Sequence, residues 1–347
     1  MKKLYKVVLT LPLYLMPRPL LNLTTDKFVP DIYITHKSVE DKKLLEEIKP
    51  LFFEHSPKEA FLERLTRRLS KKISFSGKNR SFAIREKAKK EFGAQELYLP
   101  SEDKYLISSL YFKRENAPLN IIYVTGYFEQ ETPLKEWGAP FGVLFPEFNI
   151  LTFDWRGYGN SSGSKKHFGS NAYKDILTTI DFMRSENDKP IILVGFCMGG
   201  ALSLYATIKA KEEKRNGPDA IVLNCPFTDF LNIMPRVARE PGLTPLQWLA
   251  LNSKAIFDLK LKQLNGNLLN LNPKKMVEKI DIPCYIEHST ADKMVPIEEG
   301  IKIFKSIKTP QKMFMKSEIG QHVRIHTSVP YQYRNAFLTF LKKFDFL

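Results

Sequence analysis

Cys197 is the residue of this chain best placed to form a covalent bond. It stands in Gly195-Phe196-Cys197-Met198-Gly199-Gly200, after the apolar run P-I-I-L-V (Pro190 to Val194) and at the start of an apolar helical stretch from Met198 to about Ala210. A nucleophile presented on a tight strand-to-helix turn needs small residues two positions before and two after it. Gly195 and Gly199 meet that need, and Gly200 lets the helix pack close. The turn also puts the thiol at a helix N-terminus, where backbone N–H groups and the helix dipole stabilise a thiolate. Such a sulfur attacks carbonyl carbon.

A nucleophile of this kind needs a base, and the base needs an orienting acid. Asp292 lies in His288-Ser289-Thr290-Ala291-Asp292, just past an apolar strand candidate, and His322 lies in Glu318-Ile319-Gly320-Gln321-His322, just past the next one. Both therefore sit at carboxyl ends of strands, where open parallel sheets bind ligands. His326 rivals His322, which is preferred for the preceding Gly320 and its place soon after the strand. The other histidines (His36, His55, His167, His288) read as surface or packing residues.

The elements that must position these side chains alternate in kind. Glu96 to Leu99, Leu106 to Phe112, Asn120 to Val124, Asn149 to Phe153, Pro190 to Val194, Ala220 to Leu223, Pro283 to Ile286 and Lys312 to Met315 are strand candidates. Helical patterns fall between them, as at Ser170 to Met183. Short runs apolar on both faces, alternating with helices, predict an α/β fold with a mostly parallel sheet covered on both sides. The stretch from about 229 to 279 carries Leu246, Trp248, Leu249, Leu251, Ile256 and Phe257, too long and apolar for a structureless loop. It is expected to be a helical insertion over one end of the sheet. Residues 1–94 are expected to form a helical, basic accessory region, with helices at Glu40 to Phe53 and from Pro57 through Leu69; residues 95–347 hold the α/β domain.

The chain has 347 residues and a formal net charge of +15. From Ser56 to Phe92 twelve basic residues face four acids, so this segment alone carries +8. The segment reads as a solvated basic face, with contact to anionic membrane surfaces as the alternative; no nucleic-acid motif accompanies it, and no nucleic-acid partner is expected. Met1, Lys2, Lys3 and Lys6 precede the apolar run Val7 to Met16. Lys6, Pro12, Pro17 and Pro19, with no small-residue cleavage site, favour a retained interfacial segment over a cleaved signal. Three separated cysteines (Cys197, Cys225, Cys284) make no disulfide framework and favour a reducing, cytoplasmic setting with peripheral membrane contact. No Walker, dinucleotide or zinc spacing appears, so neither cofactor nor metal is expected.

Cys197, Asp292 and His322, together with Phe153-Asp154-Trp155-Arg156-Gly157-Tyr158-Gly159-Asn160-Ser161-Ser162-Gly163, resemble the α/β-hydrolase superfamily over about Gln95 to Leu347. The glycine-flanked cysteine turn resembles the nucleophile elbow of dienelactone hydrolases, and also that of polyhydroxyalkanoate synthases. The resemblance implies an eight-stranded, mostly parallel sheet, a lid from the 229–279 insertion, and an oxyanion hole. The usual His-Gly after the third strand is Thr125-Gly126-Tyr127 here, so the backbone donors would be Tyr127 N–H and Met198 N–H. The expected activity is hydrolysis of esters or thioesters of a small-molecule acyl substrate through a Cys197–His322–Asp292 triad and a covalent acyl-enzyme. Acyl transfer and a non-enzymatic binding protein on the same fold are the alternatives.

Overall fold

Runs such as Ile121–Val124 and Ile191–Val194 offer water no polar face, so they are stable as strands only when both sides are covered. The computed structural model of the chain describes residues 30–48, 84–126, 138–164, 170–229, 233 and 271–347, and there these runs form the middle of a sheet. Its strands are β1 (Ile32–Ile34), β2 (Gln95–Pro100), β3 (Leu106–Phe112), β4 (Asn120–Val124), β5 (Asn149–Phe153), β6 (Ile191–Phe196), β7 (Ala220–Asn224), β8 (Cys284–Ser289) and β9 (Lys312–Ser317). They lie in the order β1-β9-β8-β7-β6-β4-β5-β3-β2. Only the β2–β3 and β3–β5 pairings are antiparallel.

One face of the sheet packs Phe141, Phe145, Tyr333, Phe337 and Phe340. The other packs Ile176, Ile180, Leu202 and Ala206 from the helices α2 (Tyr173–Glu186) and α3 (Met198–Glu212). The fold expectation holds, with two corrections. β6 runs on through Gly195 and Phe196, because these residues still pair with Leu223 and Asn224. Among the described residues the sheet also has nine strands, not eight. The extra one comes from the region expected to be wholly helical: Ile32, Tyr33 and Ile34 lie alongside Met315, Lys316 and Ser317.

The helix expected from Glu40 begins one residue earlier, as α1 (Val39–Ile48). Ser38 and Asp41 cap it reciprocally, Ser38 N donating to Asp41 Oδ2 (2.8 Å) and Asp41 N to Ser38 Oγ (3.0 Å). Asp41 Oδ1 also accepts from Tyr331 N and Gln332 N, so one buried carboxylate serves α1 and the start of the C-terminal helix Pro330–Lys343. The Val7 to Met16 run, the basic segment up to residue 83 and most of the 229–279 insertion lie outside the described residues. Of that insertion, Pro273–Val277 is a short helix. Among the described residues no helix is long and apolar enough to cross a membrane.

Candidate active site

The turn from β6 into α3 holds Cys197 at φ 51° and ψ −114°. That left-handed backbone is unfavourable for a residue with a Cβ, by roughly 1–3 kcal/mol, and is tolerated where the surroundings over-determine it. The surroundings are the flanking glycines. A Cβ at Gly195 would lie 2.5 Å from Gly200 Cα, and one at Gly199 would lie 2.4 Å from the carbonyl oxygens of Val124 and Thr125. Gly195, Gly199 and Gly200 thus let the start of α3 sit against the ends of β4 and β6. Gly200 N and Ala201 N donate to Cys197 O. The first amides of α3, Met198 N–H among them, have no carbonyl partner within the helix. Tyr127, the other expected oxyanion donor, lies outside the described residues.

Asp292 follows β8 and His322 follows β9, and the structure brings them together: His322 Nδ1 is 2.7 Å from Asp292 Oδ2. Asp292 Oδ1 accepts from Met294 N (2.9 Å) and Val295 N (2.8 Å). Burial pushes the Asp292 carboxyl up, but the His322 bond and charge together with its other hydrogen bonds prevail and hold it below the usual carboxylate range. His322 shows the converse balance. Burial disfavours its cation, yet the neighbouring Cys197, the bond to Asp292 and the nearby Cys225 raise it well above the ordinary imidazole value. The loop that carries His322 is tightly wound. Gly320 has φ 96° and Val323 φ 52°, and a Cβ at Gly320 would strike the Ile325 backbone at 2.9 Å.

His326 lies apart from the Asp292–His322 pair. It sits in an aromatic box of Tyr123, Phe141, Phe196 and Tyr333, and burial pushes it down to about 3. His288 is fully buried, with Nε2 3.0 Å from Val295 O and 3.8 Å from Asp292 Oδ2; burial lowers it, so it stands as a neutral ring behind the acid.

Sequence reasoning missed Cys225. It follows β7, is fully buried, and burial pushes its thiol up to about 12. With Asp292 and His322 it places a thiol, a carboxylate oxygen and a ring nitrogen within 4.8 Å of one another. These ligand types suit zinc, but the Asp292 oxygens already accept three hydrogen bonds. The missed signal was positional: Cys225 directly follows a parallel strand, as Cys197 does, and Asp292 and His322 come three and five residues after theirs.

Glu287, beneath Cys225 on β8, is the other charge-bearing group buried here. Burial pushes it up to about 8, against the pull of hydrogen bonds from Asn224 Nδ2 (2.9 Å) and Tyr333 OH (2.8 Å). Its folded value exceeds the unfolded one, so its contribution to stability is complete below the unfolded value near ~4.3 and is lost as pH rises through about 8. Glu287→Gln should therefore flatten the fall in melting temperature between pH ~4.3 and about 8, the window these two values set. Thermal scans of both proteins across that range read this directly, and parallel slopes would refute it.

The D-x-R-G stretch after β5 turns out to be a brace. Asp154 Oδ2 accepts from Asn160 N (3.0 Å), and Ser161 Oγ donates to Asp154 O (2.6 Å). Trp155 Nε1 donates to Thr125 O (3.2 Å), which fixes the end of β4 beside the elbow.

Residues 121–254 match the family described as alpha/beta hydrolase fold. Among curated proteins, the lysophosphatidylserine lipase ABHD12 of Macaca fascicularis is 25% identical over 189 residues, 54% of this chain and 44% of the lipase. The YfhR protein of Salmonella typhi is 25% identical over 252 residues, 69% of this chain and 76% of that one. The chain thus spans less than half the length of the lipase relative. Among solved structures, the Pyrococcus furiosus esterase Pf2001 superposes with a TM-score of 0.57 at 19% identity, covering 73% of this chain and 92% of the esterase. A bacterial membrane phospholipase A gives 0.54 at 14% identity, covering 78% and 93%. With the strand order, the family match and the superposed structures in agreement, the fold of this chain is the α/β-hydrolase fold.

Proposed function

We propose that the chain is an acyl hydrolase that cleaves esters or thioesters through a Cys197–His322–Asp292 triad. The observation that carries the reading is the alignment of Asp292 on His322 Nδ1 at 2.7 Å past the ends of β8 and β9, with Cys197 held at φ 51° past the end of β6. A lipase and an esterase among the similar proteins support the ester class.

Cys197 Sγ attacks the acyl carbon, and the carbonyl oxygen takes up the negative charge beside Met198 N–H. His322 gives a proton to the departing alcohol or thiol. The ring then meets a changed field. The sulfur is acylated and no longer negative, so the strongest influence raising His322 has gone and burial favours the neutral ring. Neutral His322 takes a proton from water, the resulting hydroxide attacks the thioester, and Cys197 leaves as thiolate. Asp292 holds the tautomer throughout.

Two measurements test the reading. A panel of esters and acyl thioesters of graded length should be turned over. Rates should rise with chain length if the 229–279 insertion lines an apolar pocket, since each buried CH₂ contributes up to ~0.8 kcal/mol. Alkylation of the native protein at neutral pH, followed by mass spectrometry, should modify Cys197 well ahead of Cys225 and Cys284, whose thiols burial pushes up to about 12. His322→Ala should slow that alkylation by roughly tenfold or more through loss of the neighbouring base and cation. Absence of turnover across the panel together with an unreactive Cys197 would refute the triad.

A further inference from the structure

β6 and β7 run in parallel with an unchanging register, Ile192 opposite Ala220 through to Phe196 opposite Asn224. The next pair in that register is Cys197 and Cys225, and Cys197 N still donates to Asn224 O at 2.9 Å. Neighbouring strands are about 4.8 Å apart, inside the ~4.4–6.8 Å between Cα atoms that a disulfide spans. Both residues leave their strands with left-handed backbones, φ 51° at Cys197 and 50° at Cys225. Both conformations are unfavourable for a residue with a Cβ, and they lie side by side, with the Cys225 sulfur within 4.8 Å of a His322 ring nitrogen. Cys225 is fully buried, and Cys197 is the partly exposed member of the pair, so a solvent-borne reagent meets Cys197 first. None of the acyl-transfer steps uses Cys225.

We propose that Cys197 and Cys225 form a reversible disulfide, with Cys225 resolving a Cys197 that a hydroperoxide has oxidised. The Cys197 thiolate attacks the peroxide O–O bond, takes the terminal hydroxyl to become a sulfenic acid and releases an alkoxide, or hydroxide from hydrogen peroxide, which picks up a proton. Sulfur loses two electrons and the peroxide gains them. The Cys225 sulfur then attacks the sulfenic sulfur, the S–S bond forms and the S–O bond breaks. The Cys225 proton leaves through His322 to the departing hydroxyl, which is released as water. A dithiol reductant restores both thiols. The proposal rests on Cys197 being the reactive thiol of the acyl-hydrolase reading, and its readout is a mass, independent of turnover.

The test treats the full-length protein with hydrogen peroxide and maps its peptides without reduction. The expected product joins the Cys197 and Cys225 peptides, with the loss of two hydrogens, and dithiothreitol reverses it. In Cys225→Ser and Cys225→Ala the crosslink is absent, and Cys197 advances to sulfinic and sulfonic acids that dithiothreitol does not reverse. The fraction of activity recovered after reduction, relative to each protein before treatment, should be high in the wild type and at least several-fold lower in both variants. Cys284→Ser should behave as wild type. Over-oxidised Cys197 beside an untouched Cys225 thiol in the wild type would overturn the proposal while leaving the hydrolase reading intact. A Cys197 that resists both peroxide and alkylation would overturn both.

Discussion

Cys197→Ala should lower the turnover of the best ester or thioester substrate by roughly 10⁶-fold, the scale on which a triad enzyme loses rate when its covalent nucleophile is removed. The size follows from the division of labour at the elbow. His322 and Asp292 remain paired in the variant, but a base positioned for a sulfur gains little from a water it was not shaped to hold. What remains is the contribution of binding and of the Met198 amide. The fold should be unaffected. Alanine removes one partly buried sulfur, and the elbow glycines that accommodate the turn stay in place. The melting temperature should therefore stay within a few degrees of wild type, which separates a chemical loss from a structural one. Stopped-flow or endpoint assays on the preferred acyl chain supply the comparison; a variant that keeps more than a hundredth of the wild-type rate would rule out acylation at Cys197.

Arg156→Ala should have the largest effect on stability. The Arg156 guanidinium is 1% exposed, bonded through Nε to Asp175 Oδ1 at 2.8 Å, through Nη1 to Asp103 Oδ2 at 2.6 Å, and stacked 4.6 Å from the Tyr105 ring. Asp175 is completely buried and also accepts the Arg156 backbone N–H at 2.9 Å. Burial pushes the Asp175 carboxyl up to about 6 even with the guanidinium beside it. Removing the cation leaves that carboxyl buried without a charge partner, which destabilises by about 3–5 kcal/mol. For a domain of this size that lowers the melting temperature by roughly 6–15 °C. Replacing both buried partners with apolar residues, Arg156→Met with Asp175→Leu, should recover part of the loss, because no fully buried charge is then left alone, although the Arg156 N–H loses its Asp175 acceptor and the partly exposed Asp103 its arginine. A single variant that melts within about 2 °C of wild type would show that the cluster contributes little.

The parts of this molecule that could be read from its sequence are those where local pattern and tertiary environment agree. β3, β4 and β5 appear at the expected residues, because Leu106–Phe112, Asn120–Val124 and Asn149–Phe153 are bounded by polar or turn-forming neighbours. That Asp292 and His322 would meet was legible because each follows its strand within a few residues. β1 was not. Three residues, Ile-Tyr-Ile, carry no periodicity, and their strand character comes from a partner almost 300 positions away. Cys225 was hidden for a similar reason. Nothing in Asn224-Cys225-Pro226 names a role, and only the register between β6 and β7 sets the residue beside Cys197. Arg156 was recognised as part of a familiar stretch, but its work in bridging Asp175 to Asp103 depends on two residues outside that stretch.

The pairing of β1 with β9 bears on how the chain acquires its structure during synthesis. Ile32 must wait for Met315, 283 residues later, before its strand has anything to join. At ribosomal speeds of about 5–20 residues per second, that interval is roughly 15–60 s. Over that time β2 to β8 can associate in the order they emerge, while the segment around Ile32 stays unpaired. Its docking closes a very long loop and falls at the end of the process, when most apolar surface is already covered. A variant weakened only at this edge, such as Tyr33→Pro, should therefore fold at nearly the wild-type rate and differ in how fast the edge comes undone.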